Sequence, residues 1–394
     1  MTFLLTQVQK SLLFKTQASL KKLSRVGLGA LGLWLAIAVP GLAVDVRVAI
    51  RRDVEALTIG SSESAQIKNG RGQVIGNLTA KKAVRARAVA GAVALNNKQA
   101  WQLEIVPETD DGLVFIGDRW YRGKVRLART STGLTAINHV DLEMYLASVI
   151  GKEMYVSWPQ AALQAQAVAS RSYALYKIQR QQNKLFDLLS TTTSQVYGGV
   201  EGEAPSTLEA VAATEGQVLT HSGKIIEAVF HSSSGGHTEN SEHVWMSAVP
   251  YLRGVPDYDH EAPVYQWQIN FTASQLRQRL PGVGNIRALI PVQTSPTGRV
   301  KKLRVQGDAG SQTISGRQLR KSLGLKSTLF QVQPNFAPVA GQPVALNGFS
   351  ILGRGYGHGI GMSQWGAHGM ANQGKNYQEI VQHYYPGTIL KRVL

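Results

Sequence analysis

At Asp141 the periodicity of the sequence changes, and that change restricts the chain to a mixed architecture. From Val46 to about Thr130, short segments such as VRVAI, ALTIG, LEIVP, LVFIG and KVRLA are separated by Gly, Asn and Asp turns, a pattern of strands. KNGRGQ reads as a hairpin connection. Beyond Asp141, Leu142, Tyr145, Leu146, Val149 and Ile150 recur at three- and four-residue spacing, one apolar face of a helix expected to end near Met154. A second helix is expected from Ser157, with Pro159 in its first turn, and six alanines between Ala161 and Ala174 suit it to close packing. Strands return after about Leu189 in GQVLTHSG and KIIEAVFHSSSGG, followed by VPYLRGVPDYD; helices are expected at Ala273 to Leu280, in SGRQLRKSLGL and in NYQEIVQHYYPG. The expected class is α+β and strand-rich: a small β module over 45–130 and a larger domain over 131–394 that contains the helix pair.

Residues 1–44 differ from the rest. Lys10, Lys15, Lys21, Lys22 and Arg25 are unopposed by any acidic residue and precede 19 uncharged residues between Arg25 and Asp45. A basic flank, an apolar run and the small residues Gly41 to Ala43 describe a secretory signal cleaved after Ala43, or an uncleaved membrane anchor of just sufficient length. Either implies export. Without this segment the formal charge falls from +17 to +12, still basic enough to favour polyanionic surroundings. No run of Lys or Arg interleaved with stacking aromatics follows, so nucleic acid is not an expected partner. The chain has no cysteine, which excludes disulfides, thiolate metal sites and a thiol nucleophile.

Glu153 occupies the next position on the apolar face of the first helix. A carboxylate there either reaches solvent or a cation, or is buried without a partner, in which case its pKa rises and it suits general-acid work. The segment Gly353 to Gly369, GRGYGHGIGMSQWGAHG, has seven glycines but neither GxGxxG spacing nor a following Gly-Lys-Ser/Thr, so it is not a phosphate loop. Its Arg354, Tyr356, His358, Ser363, Gln364 and Trp365 mix planar rings with hydrogen-bonding groups, as a sugar cleft requires; tight strand turns are the alternative. His231, His237 and His243 recur every six residues in VFHSSSGGHTENSEHVW, a spacing unlike common zinc motifs. GxSxG is absent, and the stretch is expected to form a strand and a polar loop at the rim of a cleft.

VDLEMYLASVIGKEMYVSWPQAALQAQAVASRSYAL, EAVFHSSSGGHTENSEHVW and GRGYGHGIGMSQWGAHGMANQGKNYQEIVQHYYPGTIL together resemble, in order and spacing, the stage II sporulation protein D / LytB family, over about residues 110 to 394. The resemblance implies an exported lytic transglycosylase of peptidoglycan, in the periplasm, in the cell wall or membrane-anchored, that forms 1,6-anhydro ends. It makes Glu153 the catalytic acid and implicates Arg171. Arg171, Tyr356, His358, Ser363, Gln364 and Trp365 are then expected to line the glycan cleft beside Glu153, with His231, His237 and Glu239 at its rim. Some members bind zinc through cysteine and histidine near the SGG segment; this chain lacks the cysteines, and neither metal nor other cofactor is carried over. LytB is described as a modifier of an amidase, which implies the alternative of a non-catalytic peptidoglycan-binding protein that recruits or stimulates a cell-wall amidase.

One acid suffices for a transglycosylase. Ordinary glycosidases need two carboxylates roughly 5–9.5 Å apart, whereas here the substrate's own 6-hydroxyl is the nucleophile. Glu239 is the only motif-embedded candidate for a second carboxylate.

Overall fold

A computed structural model describes residues 44–180, 183, 185–245, 247–339 and 342–393. Residues 1–43, and with them nearly all of the expected signal or anchor, lie outside the described residues. Among those described, no helix is long and apolar enough to cross a membrane.

Two antiparallel sheets form the first part. One has seven strands, in the order Leu188–Leu189, Asp45–Val54, Leu134–Asp141, Lys124–Arg129, Gln102–Pro107, Ala65–Asn69 and Val74–Leu78, with only the two-residue edge strand running parallel to its neighbour. The other has six, drawn from residues 56–122. Period-two burial sorts their side chains, so that Val46, Val48, Ile59, Leu103, Ile105 and Leu127 are fully buried in one core. The expected hairpin is present: Asn69 accepts from the N–H groups of Arg71 and Gln73, and Gly72 supplies a left-handed φ of 79°. The expected module boundary after residue 130 falls between Lys124–Arg129 and Leu134–Asp141, two strands hydrogen-bonded in the same sheet.

Leu134–Asp141 is buried almost throughout because it lies between two strands. Asp141 ends it and starts α1 (Leu142–Glu153) without a loop: its carboxylate accepts from the N–H groups of Glu143 and Met144 at 2.9 and 3.2 Å. The expected face is the buried face, with Leu142, Tyr145, Leu146, Val149 and Ile150 at most 1% exposed. α2 (Gln160–Arg180) begins three residues later than expected. Pro159 disfavours helical backbone at Trp158, so residues 155–158 form a turn and Ser157 is not a cap. The alanine face of α2 packs against α1 and α3 (Pro205–Ala213).

The VPYLRGVPDYD stretch is irregular, and KIIEAVFHSSSGG contributes only the two-residue strands Lys224–Ile225 and Phe230–His231. The short α4 (Ser241–Val244) follows. Residues 266–354 then form a body with its own core of Trp267, Phe271, Leu303, Val305, Phe330 and Ile351, built from two three-stranded sheets with α5 (Ala273–Arg279) and α6 (Gly316–Leu323). Its two helices fall where the sequence pattern places them; most of its six strands, and its separate core, do not follow from that pattern. The chain closes with α7 (Gln364–Asn372) and α8 (Tyr377–Tyr384). α8 carries a capping box between Asn376 and Glu379.

Candidate active site

Glu153 is the last residue of α1, where the helix dipole opposes a negative charge. Its Oε1 accepts from the Val196 N–H at 2.9 Å, and its Oε2 accepts from the Gln364 side-chain amide at 3.4 Å. Burial raises its pKa above the ordinary carboxylate value, and those two hydrogen bonds only partly oppose the shift. Among the described residues no Lys or Arg forms an ion pair with it. The Val196 segment is held by glycine contacts: a Cβ on Gly151 of α1 would lie 2.0 Å from the Gly202 carbonyl oxygen, so the 3-10 turn Gly199–Gly202 presses directly on the helix. Behind it, the Tyr145 hydroxyl donates to Gln195 at 3.0 Å.

Rings stand beside this carboxyl. Tyr155 and Trp158 lie in the turn that follows Glu153, and Trp365 follows Gln364. Ring centroids are 5.4 Å apart for Tyr155 and Trp158, 4.8 Å for Trp158 and Trp365, and 4.7 Å for Trp158 and His368. Tyr155 is 61% exposed, so the cluster presents a face to solvent rather than closing a core. Planar rings with polar edges beside an acid suit a saccharide. Of these four rings, only Trp365 stands out in the sequence as a site residue; Tyr155, Trp158 and His368 do not. The signal was the proline, because Pro159 forces the two preceding aromatics out of the helix.

Gln364, which reaches Glu153, directly follows a parallel pairing of Phe230–His231 with Met362–Ser363. Ser363 caps α7 by accepting from the Gly366 N–H at 3.2 Å. Two buried carboxylates brace the join. Asp259 accepts from the Ser233 hydroxyl and from the N–H groups of Gly235 and Gly236, and Asp257 accepts from the hydroxyls of Ser234 and Tyr384. Burial, with Asp259 nearby, raises the pKa of Asp257. Neither aspartate was anticipated, because its partners come from segments distant in sequence. Gly361 shows why the glycines recur: at φ 68°, a Cβ there would meet the Val229 carbonyl oxygen at 2.1 Å.

The remaining expected residues lie elsewhere. Arg171 is fully buried, with its guanidinium on the Glu143 carboxylate at 2.8 and 2.5 Å and on the Gln217 carbonyl at 3.1 Å. Glu143 is ten residues before Glu153 on α1, about 15 Å along the axis, so Arg171 is a packing residue and not part of a cleft wall. Glu239 is 1% exposed, accepting from the Asn240 N–H at 3.0 Å and from the Thr297 hydroxyl, so it stands inside the fold and not at a rim. His231 is likewise buried, its Nδ1 on the Ile360 carbonyl at 3.1 Å, and burial holds its pKa well below the usual value. His358 faces it at 5.2 Å, with its pKa lowered to about 4 by burial and by Arg299.

Tyr356 exchanges backbone hydrogen bonds with Ser233 and lines a cleft beside α6, as His358 lines an adjoining one; the contacts of Glu153 are with Val196 and Gln364 instead. His237 borders a third cleft of about 930 Å³ with Tyr265 and Arg354. Among the described residues no three His, Cys, Asp or Glu side chains are placed to share a metal ion.

Residues 130–221 match the model of a family described as stage II sporulation protein, SpoIID, and residues 239–361 match a domain of unknown function, DUF8618. Stage II sporulation protein D of Bacillus subtilis is 32% identical over 282 residues, 65% of this chain and 76% of that protein. The chain belongs to the stage II sporulation protein D family. An uncharacterized protein of Brachyspira hyodysenteriae is 34% identical over 301 residues, 75% of this chain and 78% of that one. The amidase enhancer of Bacillus subtilis is 32% identical over 300 residues, 62% of this chain and 40% of its own length. Within this family member, the first matched region holds Glu153 and Val196, and the second contains the body with the separate core.

Proposed function

We propose that the protein is an exported lytic transglycosylase that cleaves the β-1,4 bond between N-acetylmuramic acid and N-acetylglucosamine in peptidoglycan. The observation that carries this reading is Glu153, a carboxyl with a raised pKa and no cation partner among the described residues, set beside an exposed wall of rings. Neutral Glu153 gives its proton to the bridging oxygen as the bond from C1 breaks. The 6-hydroxyl of the same muramic acid then bonds to C1, and its proton returns to the Glu153 carboxylate. No water is consumed and the proton balance closes on one side chain. In the interval, the Val196 N–H and Gln364 stabilise the anion. Two-carboxylate hydrolysis is disfavoured because Glu239, the other candidate, is sealed within the fold.

Purified protein incubated with glycan strands, intact and stripped of peptides, is expected to release anhydro-ended fragments by mass spectrometry. Glu153→Gln is expected to slow release by about 10²–10⁴-fold, the usual worth of a general acid. Release at the parent rate would remove Glu153 from the role. The similarity to an amidase enhancer favours a second reading, recruitment or stimulation of a cell-wall amidase. It predicts glycan binding that survives Glu153→Gln, no anhydro ends from the parent, and a faster amidase when the protein is added.

A further inference from the structure

Two adjoining clefts of about 650 and 480 Å³ run along α6, where the body of residues 266–354 meets the segment around Trp245 and His358, and both are lined by Ser315, Arg317 and Arg320. Arg299, Arg317, Arg320, Lys301, Lys321 and Lys326 border them, and no Asp or Glu does. None of these six cations has an ion pair among the described residues. Arg299 is 2% exposed; it donates to the Ser234 carbonyl at 2.7 Å, its Nε has no hydrogen-bond partner among the described residues, and the nearby carboxylates of Glu239, Asp257 and Asp259 offset its charge, so the uncompensated cations are the other five. Uncompensated like charges gathered in a concavity repel one another, and an anionic ligand relieves that cost.

The first turn of α6, capped by Ser315, adds N–H groups at the same place, an arrangement that suits the several acceptor oxygens of a phosphate alongside guanidinium forks. Two rings reach the clefts as well. Tyr356 is 47% exposed with the Lys326 ammonium 5.4 Å above its ring, and Trp245 lies 5.9 Å from His358. Five uncompensated positive charges exceed what a single phosphate neutralises, and two adjoining clefts exceed one sugar unit, so the ligand is extended.

We infer that this groove binds a phosphate-bearing saccharide chain at a site separate from Glu153. The two sites share one segment: His358 and Gln364 are six residues apart, at most about 20 Å of extended chain. A chain seated along α6 therefore anchors the protein close to its acid without occupying it. Cleavage at Glu153 is not required for this binding.

Titration calorimetry of the full chain at about 0.1 M salt, where surface charges act over roughly 10 Å, provides the test. The probes are phosphorylated dextran, inorganic tripolyphosphate and polygalacturonate. Phosphorylated dextran is expected to bind tightest and polygalacturonate weakest. Arg317→Gln/Lys321→Gln/Lys326→Gln removes side chains that are mainly at the surface and is expected to weaken phosphorylated dextran by about tenfold, three modest ion contacts compounded. Lys82→Gln/Lys391→Gln/Arg392→Gln, which removes the same charge elsewhere, is expected to leave affinity unchanged. Tyr356→Ala is expected to weaken the dextran but not tripolyphosphate, and Glu153→Gln to weaken neither. Equal loss in the two triple variants, polygalacturonate binding as tightly as the phosphates, or no binding at all would overturn the inference.

Discussion

At the scale of the residue, Glu153 and Arg171 exchange the characters that helical spacing lends them. Both lie on packed helix faces, yet one is a carboxyl with no cation partner among the described residues and the other a saturated guanidinium. Because burial raises the Glu153 pKa, the folded state holds that proton more tightly than the unfolded state does, and ionisation costs stability as pH rises through the raised value. Glu153→Gln removes that cost. The variant is expected to melt above the parent at pH 7 to 8, with the difference closing below the unperturbed value of 4.5, as read by thermal denaturation across pH. Catalysis by the neutral acid is expected to fall over the same rise in pH. For Arg171, removal leaves the Glu143 carboxylate with its main partner gone. Arg171→Met is expected to cost about 3–5 kcal/mol in urea unfolding, whereas a residue that only bound glycan would lower affinity and leave the midpoint in place.

At the scale of the element, the helix pair was legible and the turn between its members was not. Five apolar residues at helical spacing announced α1, and Asp141 announced its start; the period is a local property, and burial follows it. Glu153 was legible from the same period, being the one charge on that face. The aromatic wall was not, because its members come from two segments more than two hundred residues apart, and only the fold brings Trp158 to Trp365. Asp257 and Asp259 were hidden for the same reason, whereas Tyr356 and His358 were misplaced because one glycine-rich string serves two places. Contacts between elements are tightest where glycines meet. Gly151→Ala would put a Cβ 2.0 Å from the Gly202 carbonyl oxygen, and is expected to cost about 1–3 kcal/mol by overpacking. Because the 3-10 turn leads from the Val196 loop, the same variant is expected to lower the rate of anhydro-end release beyond its effect on stability at a temperature where it remains folded.

At the scale of the whole molecule, the described chain has a large core shared by the first sheets and the α1–α2 pair, and a second core within residues 266–354. The two helices of the second body were legible in local period, but most of its strands and its independence were not, since period records which face is apolar and not which faces meet. Separate cores allow local opening with its own free energy. Leu303 is fully buried in the second core, and Leu303→Ala is expected to cost about 2–5 kcal/mol there, through lost transfer energy and the cavity left behind. Hydrogen exchange should locate that cost. Amides of the strands Val300–Gly307 and Phe330–Val339 are expected to exchange faster in the variant, while those of α1 and α2 keep their protection. Uniform acceleration across both cores would instead make the molecule a single cooperative unit, and would tie the basic groove along α6 to the stability of the Glu153 site.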